Sequence, residues 1–121
     1  MCLYNMECTI NTSRKLLISM GNVIKVIRRN KIILIQSDGS YSSIFLQNEE
    51  KPVVICKSLK KLEELLIEDG FCRCHKSTLV NTEHIEEIRS GKDQSILMKD
   101  GTIIKMSKRG KINLLKLLRE A

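Results

Sequence analysis

Tryptophan is missing from this 121-residue chain, and the aromatics amount to Tyr4, Tyr41, Phe45 and Phe71. That shortage argues against a surface that grips single-stranded nucleic acid, because such surfaces stack bases on interleaved rings. It also makes any core aliphatic. Long apolar runs are missing too. The strongest, at 32–35, is far too short to span a bilayer. The opening "MCLYNMECTINTSRK" lacks the apolar stretch of a secretory signal. Five cysteines, an odd number in no regular framework, argue against a secreted disulfide scaffold. Reduced thiols in a cytoplasmic protein are the simpler expectation. Acidic residues are outnumbered, 14 against 21 Lys and Arg, giving a net charge of +7 and a pI near 9.3. A polyanion is the default partner for so basic a domain.

What is present reads as one domain, with no linker, repeat or low-complexity segment. Residues 1–12 show no period and are expected to be an irregular lead-in to a domain over 13–121. "KLLIS" at 15–19 reads as a strand. "NVIKVIRRNKIILIQ" at 22–36 is rich in β-branched residues and breaks at "RRN", so it reads as two strands around a turn. "SDGS" carries an Asp-Gly hairpin signal, and "YSSIFL" would be the returning strand. "VVIC" is a further short strand. The period then changes. "SLKKLEELLIEDG" spaces Leu59, Leu62, Leu65 and Leu66 as one helix face, with Ser58 to cap it and Gly70 to end it. "FCRC", "STLV", "IEEIRS", "SILMKDG" and "TIIKMS" read as extended, with a turn at "NTEHI". "KRGKINLLKLLREA" closes the chain as a helix. The fold class is therefore mostly β, with a central and a C-terminal helix.

Three chemistries compete for the dense cluster "FCRCHKS" at 71–77. Cys72, Cys74 and His75, with His84 further on, are soft ligands, but Cys-x-Cys-His has no second pair to complete a tetrahedral site. In a strand Cys72 and Cys74 share a face and His75 takes the other, so the thiols read as inward small residues. Nucleophilic catalysis needs a thiol or hydroxyl beside an oriented base. Adjacent Cys74 and His75 point apart, no Gly-rich elbow surrounds Ser77 or Ser107, and no Walker-type loop is present. An enzyme, a cofactor and a small-molecule substrate are therefore not expected.

Anion binding fits better. His75, Lys76 and Ser77 stand at a strand end. Ser107, Lys108, Arg109 and Lys111 stand where the last helix starts, and a helix start favours phosphate. From 99 to 121 there are seven bases and two acids, or +5. Duplex DNA, held through phosphates and read at groove edges by Arg, Lys, Ser or Asn, needs no aromatics. A basic protein-interaction module meeting an acidic partner and a small zinc protein remain as the other readings.

The stretch "FCRCHKSTLVNTEHIEEI" resembles the signature of LytTR-type DNA-binding domains, with Phe71, Arg73, His75, Lys76, Ser77, Val80, Asn81 and Ile85 in the matching places. "SLKKLEELL" is similar to the family's helix, "SDGSY" to its hairpin and "KDGTIIKMSKRGKINLLKLL" to its ending. Together these cover most of the chain, from Val23 to Leu118. The resemblance implies an elongated antiparallel β fold and a bacterial transcription regulator that sets loops, not a recognition helix, into the major groove. It implies double-stranded DNA as partner, in paired direct repeats, with a dimer on the DNA. Contacts would come from Ser40, Tyr41 and Ser42, from His75, Lys76 and Ser77, and from Ser107, Lys108, Arg109 and Lys111. Two roles stay open for His75: a DNA contact, or a structural bond to the backbone of a neighbouring loop. Lys108 and Arg109 both stand where the family has one Arg, and either could take the base. The chain is either a stand-alone regulator, controlled by a partner such as a membrane-bound one, or the DNA-binding part of a receiver-domain protein. Cys74 lies beside the grip, so its oxidation is a conceivable control.

Overall fold

A computed structural model of the chain describes residues 8–9 and 15–120. The irregular lead-in expected over 1–12 lies outside the described residues, save for a short strand, β1 (Cys8–Thr9). The expected order of elements is otherwise present. β2 (Lys15–Met20) and β3 (Val23–Arg28) form a hairpin whose turn uses Gly21 at φ 63°. A 3-10 turn over Arg29–Lys31 leads into β4 (Ile32–Asp38). β5 (Tyr41–Leu46) returns through the Asp-Gly turn, with Gly39 at φ 66°, and β6 (Val53–Ile55) follows. Helix α1 (Leu59–Leu66) is capped by the Ser58 side chain, which accepts from the Lys61 N–H, and it ends through a 3-10 turn at left-handed Gly70.

β7 (Phe71–His75) and β8 (Thr78–Asn81) complete a five-stranded antiparallel sheet in the order β6-β5-β4-β8-β7. β9 (Ile85–Arg89), β10 (Ser95–Met98) and β11 (Ile103–Lys105) form a smaller sheet, and α2 (Lys108–Glu120) closes the chain.

The central sheet is apolar on both faces. One face, with Ile35, Ile44, Ile55, Phe71 and Leu79, packs with α1 and with Leu16, Ile18 and Ile27 of the first hairpin. The other, with Leu34, Cys72, Cys74 and Val80, packs with Ile96, Met98, Ile104, Met106 and Leu114. A side chain of either face leaves water, which is why "IILI" at the start of β4 is apolar without alternation. In the 71–77 cluster, Cys72 and Cys74 turn inward on one face, and Phe71 joins the core on the opposite face.

Asn81 ties this sheet to the turn before β4. Its Nδ2 donates to the Ile32 carbonyl at 2.9 Å and the Arg29 carbonyl at 3.4 Å, and its Oδ1 accepts from the Glu83 N–H at 3.1 Å. It is only 1% exposed, so water cannot replace those bonds. Asn81→Ala is expected to lower unfolding free energy by about 1–3 kcal/mol, the usual cost of leaving buried polar groups unpaired. Urea unfolding checks this, the midpoint falling at unchanged slope.

Candidate nucleic-acid interface

Residues 75–77 form the tight turn between β7 and β8, and a register shift between Arg73 and His75 makes Cys74 the extra residue of a bulge. The turn is braced from within and from behind. His75 Nδ1 accepts from the Ser77 N–H at 3.3 Å and lies 3.0 Å from the Ser77 hydroxyl. The structural bond of His75 is made within its own turn and not to a neighbouring loop. Arg73 donates from Nη2 to the Lys76 carbonyl at 2.5 Å and from Nη1 to Glu63 Oε1 of α1 at 3.3 Å. The Lys76 side chain is left exposed at the tip.

The β4–β5 hairpin tip lies beside this turn, since the Ser37 N–H donates to the Ser77 carbonyl at 2.9 Å. Ser40 is exposed and Tyr41 half-buried. Ser42 departs from its expected role. It is 0% exposed, and its hydroxyl donates to the Lys57 carbonyl at 2.6 Å. Alternation along β5 turns Ser42 inward with Ile44 and Leu46, so its hydroxyl serves the fold.

The start of α2 is fastened to the same turn. The Ser107 N–H donates to the Cys74 carbonyl at 3.0 Å, and Ser107 Oγ accepts from the Gly110 N–H at 2.9 Å, as a helix cap does. Ser107 thus anchors and caps the helix. Lys108 and Arg109 extend into solvent, while Lys111 is half-buried and Gly110 is buried against β7.

His75, Lys76, Ser107 and Arg109 line one open cleft of about 500 Å3, together with Glu63, Arg73, Gly110 and Asn113. Three bases face one carboxylate there, and that carboxylate is already paired with Arg73. Among the described residues the ion pairs are Arg29–Asp69, Arg73–Glu63 and Arg89–Glu87, so Lys76, Lys108 and Arg109 carry uncompensated charge. The cleft does not include Ser40, Tyr41, Ser42, Ser77, Lys108 or Lys111. It adds Arg73 and Asn113, which sequence reasoning did not place in the site. Both had a signal: Arg73 alternates with two inward cysteines, and Asn113 stands four residues after Arg109 on one helix face.

No group of three or more His, Cys, Asp or Glu residues among the described ones could hold a metal ion. Cys72 and Cys74 are free and buried. Burial pushes the Cys72 thiol up to about 11, helped by the Glu63 carboxylate. It pushes Cys74 to about 12, helped by Cys72. Protonated, enclosed thiols are poor nucleophiles, so oxidation at Cys74 is not a ready control. Cys56 differs from the expectation of reduced thiols, being disulfide-bonded.

Two results follow for the buried pair. Thiol reagents are expected to label Cys72 and Cys74 only after unfolding. The folded thiols titrate above the ordinary value of 9.0, so folding favours their protonated forms. The stability this gives is full below pH 9 and is lost as pH rises through 11 and 12. Melting temperature followed across that range checks the direction, with a Cys72→Ala, Cys74→Ala variant showing the shallower fall.

Residues 22–119 match the family model described as the LytTr DNA-binding domain. Over 106 residues the chain is 29% identical to the Sensory transduction protein LytT of Bacillus subtilis (strain 168), a match covering 86% of this chain and 43% of that protein. The chain therefore spans less than half the length of this relative. A solved LytTr DNA-binding domain from Bacillus cereus has the same fold, with a TM-score of 0.72 at 23% identity, over 88% of this chain and 98% of the solved one. No helix among the described residues is long and apolar enough to cross a membrane.

Proposed function

The chain belongs to the LytTr DNA-binding domain family, and from that premise we propose that it regulates transcription by setting two cationic tips into the major groove of a specific duplex. One tip is the 75–77 turn with Lys76. The other is the start of α2 with Arg109. The observation that carries the reading is their union in one cleft, although 33 positions separate them in the chain (109 minus 76). Arg109 is the base reader, because a planar fork matches two acceptors on guanine and because it lines the cleft beside Lys76. Lys108, outside the cleft, takes a backbone phosphate. Ser40 and Tyr41 border the duplex from the neighbouring hairpin.

The family is a DNA-binding one and not an enzyme family. The sites are paired direct repeats occupied by two copies, in the cytoplasm, under the control of a receiver domain or a separate regulator. Selection of bound duplexes from a random pool tests this. Recovery of two spaced copies of one short motif is the expected result. Log affinity should also fall against log salt with a slope near −0.9 per phosphate contact. Equal retention of all sequences, or a flat salt response, would overturn the reading and favour a basic protein-interaction module.

A further inference from the structure

The β2–β3 hairpin has an uncovered apolar strip at the margin of the molecule. Val23, Ile24 and Val26 are 60%, 63% and 54% exposed, while Ile27 on the same strand is 3% exposed and belongs to the core. Among the described residues β3 pairs with β2 alone and is an edge strand. The hairpin closes on Met20 opposite Val23 through a two-residue turn. In such a ladder Val23, Lys25 and Ile27 bond to β2, and the N–H and C=O groups of Ile24 and Val26, with the N–H of Arg28, point outward. The edge thus offers a row of backbone donors and acceptors beside two large apolar side chains.

Along this edge runs a groove bounded by Lys25, Val26, Arg28 and Lys31 on one side and by the 46–49 turn on the other. Three cations line it against one carboxylate, Glu49. It sits at the opposite end of β4 from the tips described above. With seven residues in that strand, the separation is roughly 20 Å. The groove therefore stays open when the tips are engaged.

We propose that the free edge of β3 is a docking strand for an extended acidic segment of a protein partner, one alternating aliphatic residues with Asp or Glu. The segment adds to the sheet through the outward groups of Ile24, Val26 and Arg28. Its apolar residues cover Ile24 and Val26 on one face, its alternate carboxylates meet Lys25 on the other, and an acidic residue at its end meets Arg28 and Lys31. A second copy of this chain fits poorly. "VIKVIR" holds two cations and no acid, so pairing two such edges sets four cations into one ladder. The inference does not depend on the DNA reading.

A short soluble peptide alternating Val and Glu is the probe, with a Val–Lys peptide of equal length as control. Amide exchange of the intact chain is the readout. The acidic peptide should slow exchange at Ile24, Val26 and Arg28, and the basic one should not. Val26→Pro removes an outward N–H without touching the β2 ladder, a position where edge strands tolerate proline. It should weaken the acidic peptide about tenfold or more while leaving DNA binding intact, as should Arg28→Glu. No protection at these amides, equal binding of both peptides, or protection of the same amides by duplex DNA would overturn the proposal. So would self-association of the chain that Val26→Pro abolishes.

Discussion

Replacing Gly110 by alanine is expected to cost the fold about 1–3 kcal/mol, in the range of overpacked cores, and to weaken specific DNA binding more than tenfold. The glycine is required by close approach. A methyl there would collide with the carbonyl oxygen and carbon of Cys74, and would stand 2.8 Å from its Cα. All three are backbone atoms of a buried strand, which no side-chain rotation can clear. The sign is informative, because alanine is otherwise the better helix former by about 1 kcal/mol. A loss of stability therefore reports the contact itself. Relief requires α2 to lift from β7, which breaks the bond from Ser107 to Cys74 and carries Arg109 away from Lys76. Thermal unfolding gives the stability term. Duplex affinity, measured well below the melting temperature, gives the positional one. A variant as stable as the parent, with unchanged affinity, would show that the helix and the turn need not be in register.

Much of this architecture was legible from residue types. Alternation in "YSSIFL", Asp38-Gly39, the Ser58 cap and the left-handed Gly70 each act within a few residues, so local pattern suffices. The misreadings concern contacts made across the chain. Ser42 stands in a hairpin near the site, but its hydroxyl is claimed by a carbonyl 15 residues away. Arg73 matched the family signature without a role, yet it holds the Lys76 carbonyl in place and is itself held by Glu63. Three of the first four residues of β7 are buried because the strand has a core on each face, Phe71 in one and Cys72 and Cys74 in the other, and one-sided amphipathic reading does not anticipate that. The need for glycine at position 110 shows only once the Cys74 carbonyl is placed against it.

Arg109→Ala and Lys76→Ala should each reduce specific affinity by about 1–3 kcal/mol, but in different ways. If Arg109 reads a base, its loss relaxes preference at one position of the site and leaves the remaining positions unchanged. If Lys76 meets phosphate, its loss lowers affinity evenly across sequences and reduces the salt slope by about one. Conservative exchanges sharpen the contrast. Arg109→Lys keeps the charge and loses the fork, so its selectivity should fall nearly as far as that of the alanine variant. Lys76→Arg keeps the charge at an exposed tip and should bind well. Neither side chain has an ion-pair partner among the described residues, so truncation strands no carboxylate and the protein should remain folded. Losses in binding can then be read as contacts and not as damage. The double variant decides whether the cleft acts as a unit. Additive losses mean that the two tips meet separate groups on the duplex. Losses smaller than the sum mean that displacing one tip already disengages the other, as expected of elements joined by the bond from Ser107 to Cys74 and by the close approach of Gly110 to the same backbone. Full affinity in both single variants would remove the turn and the helix start from the interface altogether.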